Sequence, residues 1–254
     1  MKMHLLSGGR LRMRRGVYYP EAEKGETFEL PVSCVLLKHP QGNVLFDTGC
    51  HPAAAEGDGQ ARWGALAKAI VPIFEVQDAV VHQLPKAGLT ADDIDVVVCS
   101  HFHIDHCGCN EFFKRATIVC HAAELEAARS PEARAAGYFA EDWDHGQPIE
   151  TIDAQHDLFG DGKLTLIPTP GHTPGMTIAH VALDRDGAFV LASDAAAVRE
   201  NLDRRQPPKV TWDIDRTVDA LDEIARLQAG GATVLFGHDE AQWRSLRKGA
   251  DFYE

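Results

Sequence analysis

Ser100-His101-Phe102-His103-Ile104-Asp105-His106 is the stretch on which the reading of this 254-residue chain turns. It follows the apolar run Val96-Val97-Val98-Cys99 and leads into Cys107-Gly108-Cys109. A β-branched run ending in a polar cluster reads as a buried strand that delivers a loop at its carboxyl end. Three imidazoles and one carboxylate fall within six residues, and these are the ligands that borderline metals such as zinc take. Each group costs solvation when buried without a partner, so packing alone does not account for the cluster. His101 and His103 are two apart and point the same way in extended chain. Asp105 and His106 lie beyond a bend and can serve a second ion. A catalytic zinc keeps a position open for water, so further ligands are expected elsewhere in the chain.

Other strand ends supply them. Leu164–Pro168 leads into Thr169-Pro170-Gly171-His172-Thr173-Pro174-Gly175, Ala188–Leu191 into Ala192-Ser193-Asp194, and Thr233–Phe236 into Gly237-His238. Val44–Phe46 ends in Asp47-Thr48-Gly49. There is an internal echo. Val97-Val98-Cys99-Ser100-His101 resembles Val234-Leu235-Phe236-Gly237-His238, and Val44-Leu45-Phe46-Asp47 resembles Val190-Leu191-Ala192-Ser193-Asp194. This suggests two related β-rich halves presenting strand ends to one cleft, where open sheets place their sites. The candidate metal ligands are His101, His103, Asp105, His106, His172, Asp194 and His238, enough for two metals sharing one carboxylate.

Between these points the chain reads as short alternating elements. Residues 1–15 suggest two strands around Ser7-Gly8-Gly9, with Arg10, Arg12, Arg14 and Arg15 as a basic face. Residues 16–30 read as loop. Val32–Lys38 and Val44–Phe46 form a hairpin around Pro40-Gln41-Gly42-Asn43, and Thr177–Leu183 and Ala188–Leu191 form another. Helices are expected over Ala61–Phe74 (interrupted at Pro72), Val76–Leu84, Ala122–Arg129, Asp215–Gln228 and Glu240–Arg247. Residues 130–148 read as an aromatic loop carrying Tyr138, Phe139 and Trp143, and 195–212 as irregular.

Composition bounds the function. The chain is 44% hydrophobic and 25% charged, with a formal net charge of -13. That is an ordinary globular composition, and the charge repels nucleic acid and anionic membrane. No apolar run is long enough to span a membrane, and the first residues lack the apolar core of an export signal, so a cytoplasmic location is expected. The six cysteines, Cys34, Cys50, Cys99, Cys107, Cys109 and Cys120, are then expected as reduced thiols, with His and Asp sufficient for the metals. One domain over residues 1–254 is expected; the oligomeric state is left open.

The order and spacing of these motifs resemble the metallo-β-lactamase superfamily. The matching segments are His-x-His-x-Asp-His at 101–106, Pro-Gly-His-Thr-Pro-Gly at 170–175, Ser-Asp at 193–194 and Gly-His at 237–238. The resemblance implies a four-layer αβ/βα sandwich of two mixed sheets flanked by helices, with a dinuclear site between the sheets. It implies one metal on His101, His103 and His172, the other on Asp105, His106 and His238, and Asp194 between them. Asp47 would orient a ligand without binding metal. Two Zn2+ are the expected cofactors, and cobalt, manganese or iron would accept the same set.

Within the superfamily the chain looks most like the N-acyl homoserine lactone lactonases, with 4-pyridoxolactonase a near neighbour. The implied reaction is opening of a lactone ring by a metal-bridging hydroxide, with Asp105 taking and returning a proton. The partner would be a small-molecule lactone, with neither nucleic acid nor membrane. Two positions depart from the pattern. Many of these lactonases carry a Tyr three residues after the bridging Asp, where this chain has Ala197, and Met176 stands where His is frequent. Phe102, Ile104, Met176 and Trp63 are candidates either for a substrate pocket or for ordinary core.

A glyoxalase II-type thioesterase shares the metal motif but needs a helical region after the last His, where this chain has 16 residues. A secreted β-lactamase would need an export signal, and a phosphodiesterase a cationic groove. A flavin-linked diiron oxidoreductase would carry an acid at the His103 position and a flavin domain. A catalytically weak metal-binding scaffold would show no turnover of any ester or lactone.

Overall fold

The computed structural model describes every residue except Asp58 and the side chain of Gln60. The apolar runs read from the sequence become strands of two mixed sheets. In chain order the first seven are β1 (Lys2–Arg14), β2 (Thr27–His39), β3 (Gly42–Phe46), β4 (Val71–Pro72), β5 (Val96–Val98), β6 (Thr117–His121) and β7 (Ile149–Ile152). They lie in one sheet in the order β4-β1-β2-β3-β5-β6-β7. The other five are β8 (His156–Asp157), β9 (Leu164–Pro168), β10 (Thr177–Ala182), β11 (Ala188–Ser193) and β12 (Thr233–Phe236), in the order β12-β11-β10-β9-β8.

Period-two alternation sorts side chains between the layers. Val44 and Phe46 of β3 and Val98 of β5 pack against Leu166, Val181, Leu191 and Leu235 of the second sheet. Leu45 and Val97 point to the opposite face, where Trp63, Val80, Leu84, Phe113 and Ala128 cover them. On the outer face of the second sheet, Val190, Ala192, Val234 and Phe236 meet Ala220, Leu221 and Ile224. Helix, sheet, sheet, helix is the four-layer sandwich expected from the sequence.

The helices that cover the sheets are α1 (Gly59–Trp63), α2 (Val80–Gln83), α3 (Ala122–Ala128), α4 (Ala140–Trp143), α5 (Arg199–Asp203), α6 (Ile214–Ala229) and α7 (Glu240–Ser245). In α6 the buried residues Thr217, Ala220, Leu221 and Ile224 recur at three- and four-residue spacing, which gives the helix one face for the sheet. Its N-cap is Asp213, whose carboxylate accepts from Arg216 N at 3.1 Å, and Asp215 lies in its first turn.

Several expectations change. Residues 2–14 are one strand, with a register shift between Ser7 and Arg10 in place of a turn. The glycines there serve close approach: a Cβ on Gly8 would lie 2.8 Å from Gly49 Cα, and Cys50 N donates to Gly8 O at 2.8 Å. The second strand begins at Thr27, inside the expected loop. The helix expected over 61–74 is α1, a 3-10 turn at Gly64–Lys68 and then β4, because Gly64 takes φ +54° and Pro72 lacks an N–H. Residues 76–84 likewise split into a 3-10 turn (Val76–Asp78) and α2. The 130–148 loop holds α4, and 195–212 holds α5.

The basic face of β1 is mostly neutralised. Arg10 pairs with Glu240 at 2.9 Å, Arg12 with Glu29 at 2.8 Å and Arg15 with Glu26 at 3.3 Å. All six cysteines are free and buried. Among the described residues no helix is long and apolar enough to cross a membrane.

Candidate metal centre

The internal echo has a structural basis. Strands β3 and β5 are parallel neighbours in the first sheet, and β11 and β12 are parallel neighbours in the second. Asp47 and His101 therefore leave one pair of carboxyl ends, and Asp194 and His238 leave the other. The remaining ligand-type residues follow β5 (His103, Asp105, His106) and β9 (His172). Asp47 and Ser193 take φ +59° and +44°, the sharp turns that let each strand end face the cleft.

All seven candidate ligands converge. His101, His103 and His172 form one group, and Asp105, His106 and His238 another, with the ligand atoms within each lying less than 4.8 Å apart. His101, His106 and Asp194 form a third group within the same limit. Asp194 stands between the first two: its Oδ2 is 3.4 Å from His172 Nε2, and its Oδ1 is 3.0 Å from His238 Nε2 and 3.6 Å from His106 Nε2. Asp105 Oδ2 lies 3.6 Å from His238 Nε2.

Each imidazole is held by its other nitrogen, the arrangement that fixes a ligand's orientation. His106 Nδ1 meets Asp47 Oδ2 at 2.8 Å, His238 Nδ1 meets Pro31 O at 2.8 Å, and His172 Nδ1 meets Val210 O at 3.1 Å. His101 Nδ1 faces Ser100 Oγ at 3.0 Å, and His103 Nε2 faces Ala136 O at 3.3 Å. The inward atoms are different. His101 Nε2, His106 Nε2, His238 Nε2 and Asp194 Oδ1 are buried and without a hydrogen-bond partner. Orphaned buried polar atoms are costly. Four of them, with lone pairs aimed at one small volume, fit divalent metal.

Asp47 lies behind this set. Its carboxylate accepts from Ser100 N at 2.7 Å, Ser100 Oγ at 2.8 Å and Ser193 Oγ at 3.2 Å, besides His106. Sequence reasoning missed a second organiser, Glu124. This fully buried carboxylate accepts from Phe102 N and from Gly175 N, each at 3.0 Å, and so ties the loop at 101–106 to that at 170–175. Gly175 has no side chain because a Cβ there would run into the Glu124 backbone. Glu124 sits in an ordinary helical run, and nothing local in the sequence marks it. No cysteine joins a metal-ligand group among the described residues. Cys107 and Cys109 donate to the carbonyls of His103 and Cys50 instead.

The site's charges are unbalanced without metal. Burial, with His172 alongside, pushes His103 down to about 3. Burial lowers His101 and His172 as well. Burial also opposes the charge on His106, but Asp105, Asp194 and Asp47 outweigh it and push that imidazole up to about 10. His238 is raised too, by Asp194 against its burial. The raised pair stabilises the fold fully below pH 6.5 and loses that contribution as pH rises toward 10. The lowered three stabilise it above 6.5 and lose that contribution as pH falls toward 3. Metal-stripped protein should therefore melt highest near pH 6.5 and lower on both sides. A drop of about 3 °C corresponds to roughly 1 kcal/mol at this chain length. Reloaded protein should lose the alkaline fall, because metal replaces the proton as partner. Thermal melts from pH 5 to 9, with and without chelator, check this; parallel profiles would sink it.

Beside the ligands lies a cavity of about 270 Å³, walled mainly by apolar side chains including Leu11, Met13, Val17, Leu66, Ile70 and Ile104. Its floor is His103, Asp105, His172 and Asp194. Three of the four residues weighed for such a pocket are core instead. Phe102 stacks on Trp143 at 5.1 Å, and Met176 and Trp63 are fully buried in the helix-facing layers. Ile104 alone of the four lines the cavity. Ala197 is buried in the core and offers no polar group.

The model of the metallo-beta-lactamase superfamily matches residues 27–248. The chain belongs to that superfamily, in its N-acyl homoserine lactonase-like branch. The N-acyl homoserine lactonase AttM of Azorhizobium caulinodans is 30% identical, covering 100% of this chain and 99% of that protein. The lactonase AiiB of Agrobacterium fabrum is 34% identical over 89% of this chain and 86% of its own. A solved N-acyl homoserine lactone hydrolase, with the product N-hexanoyl-L-homoserine bound at its catalytic metal center, superposes with a TM-score of 0.89 at 26% identity, covering 99% and 98% of the two chains. In this superfamily member, too, the His/Asp groups at strand ends suit divalent metal.

Proposed function

We propose that this protein is a dinuclear metal hydrolase that opens the ring of N-acyl homoserine lactones. The observation that carries the reading is the set of buried, unpaired imidazole and carboxylate tips beside an apolar cavity. One ion would be held by His101, His103 and His172, the other by Asp105, His106 and His238, with Asp194 between them. Zinc is the default for this donor set. Bound metal supplies a water acidified from about 15.7 toward about 7 and polarises the carbonyl under attack.

The chain's own residues do the rest. The apolar wall takes the acyl chain and excludes water from it. His103, Asp105, His172 and Asp194 on the floor place the lactone ring against the metal ligands. Asp105 has 13% of its side chain exposed, against 5% for Asp194, so it is the carboxylate able to take a proton and return it to the leaving ring oxygen. The similarity to proteins named as N-acyl homoserine lactonases supports the lactone as substrate.

The test is mass spectrometry of products after metal-loaded protein meets N-acyl homoserine lactones of graded chain length, with metal content measured in parallel. The expected result is a gain of one water, two metals per chain, and neither product nor full metal content in His103→Ala. Two metals without turnover of any of these lactones would overturn the substrate and direct attention to aromatic lactones and thioesters.

A further inference from the structure

The cavity floor brings carboxylates and imidazoles to the lactone, but a carbonyl oxygen gaining negative charge needs a donor. Among the described residues that line the cavity, only Tyr18 carries a hydroxyl. Of the other hydroxyls near the ligands, Ser100 Oγ and Ser193 Oγ serve Asp47, and those of Tyr138 and Thr173 are buried at residues outside the cavity lining. The Tyr18 hydroxyl donates to Asp194 Oδ2 at 3.5 Å, a long hydrogen bond that a closer and more negative acceptor can displace. The hydroxyl thus sits at the floor, beside the carboxylate that lies between the two candidate metal groups.

The side chain is also held in place. Its ring packs edge-on against Phe28 at 6.0 Å and tilted against His238 at 5.8 Å, and the residue is 6% exposed. Tyr18 O accepts from Asn201 Nδ2 at 3.3 Å, and Val17 O accepts from Lys209 N at 2.7 Å, which anchors the segment after β1 to the chain around α5. A fixed donor is the kind that stabilises developing charge without reorganising. A phenol, with an ordinary pKa of about 10, is protonated at neutral pH.

We infer that Tyr18 is a catalytic residue whose hydroxyl donates a hydrogen bond to the lactone carbonyl oxygen as that oxygen takes on negative charge. The inference rests on the lactone hydrolysis proposed above. Tyr18 transfers no proton; its O–H stays intact while water adds and the ring C–O bond breaks.

Tyr18→Phe removes one oxygen and keeps the ring packing. The expected result is a fall in kcat of about 10²-fold, the scale for one oxyanion donor, with KM changed less than threefold. Metal content and melting temperature should match the unsubstituted protein. A cyclic phosphonate bearing the same acyl amide mimics the tetrahedral oxyanion, and its inhibition constant should rise by about the same factor as kcat/KM falls. Tyr19→Phe, half-buried next door but outside the cavity, should leave all of these unchanged. If Tyr18→Phe keeps kcat and the phosphonate constant, or loses activity only in step with lost metal, the role assigned to Tyr18 is overturned. If the unsubstituted protein opens no lactone, the proposed function falls first, and the substrate named for Tyr18 falls with it.

Discussion

Asp194→Asn is expected to lose about 10³-fold in activity and to retain one metal per chain or fewer. The two oxygens of Asp194 do different work. Oδ2 faces His172 on one side; Oδ1 faces His238 and His106 on the other and has no hydrogen bond of its own. Burial opposes the charge on this carboxylate, yet His238 and His106 hold it well below the usual range. The asparagine has the same shape, so the fold is kept. It removes the one carboxylate lying between five imidazoles and turns an acceptor into an N–H2 donor. A donor aimed at metal or at an imidazole lone pair excludes the cation that the pocket is shaped to hold. At about 1.36 kcal/mol per tenfold, the loss is about 4 kcal/mol of transition-state stabilisation. Plasma mass spectrometry of metal content, with kinetics on the same preparation, checks it. Two tightly held metals with activity within threefold would show that Asp194 does not join the two groups.

Much of this site is legible in the sequence because strand ends are legible. An apolar run of β-branched residues that stops at a His or Asp fixes both the buried strand and the place where its last side chain emerges. The echo between residues 97–101 and 234–238 worked for that reason: parallel neighbours in each sheet deliver their ends to one cleft. What was illegible depends on contacts distant in sequence. Glu124 reads as one more helix former, and only the fold brings Phe102 N and Gly175 N to it. Tyr18 lies in a stretch read as loop, and its hydroxyl meets Asp194, 176 residues away. Gly8-Gly9 carries the signature of a turn, whereas the glycines there admit the chain at Gly49. Phe102 lies between His101 and His103 in sequence yet stacks on Trp143 in the core, and Met176, four residues after His172, is buried in the helix-facing layer of the second sheet.

Asp47→Ala should combine the largest stability loss with a weakened site, though Asp47 touches no metal ligand tip. Its carboxylate is 2% exposed and accepts four hydrogen bonds, from Ser100 N, Ser100 Oγ, Ser193 Oγ and His106 Nδ1. Alanine strands Ser100 N in a volume closed to bulk water and leaves Ser100 Oγ, Ser193 Oγ and His106 Nδ1 with only their neutral neighbours as partners. It also leaves His106, the imidazole most strongly raised by nearby carboxylates, with one counter-charge fewer. Removing one member of a buried ion pair costs about 3–5 kcal/mol. At this chain length each kcal/mol is roughly 2–4 °C, so the melt should fall by about 6–20 °C. The φ of +59° at Asp47 adds to the loss, since Ala accepts that backbone less readily than Asp or Asn does. Asp47→Asn separates the two effects. It keeps the turn and accepts from Ser100, but cannot balance a charged His106, so it should recover most of the melt while metal affinity stays about 10–100-fold weaker, the scale for a group that orients a ligand. Thermal melts and competitive metal titration of both variants decide this. If Asp47→Asn binds metal as tightly as the unsubstituted protein, then Asp47 shapes only the turn, and the orientation of His106 comes from Ser193 Oγ, 3.2 Å from its Nδ1.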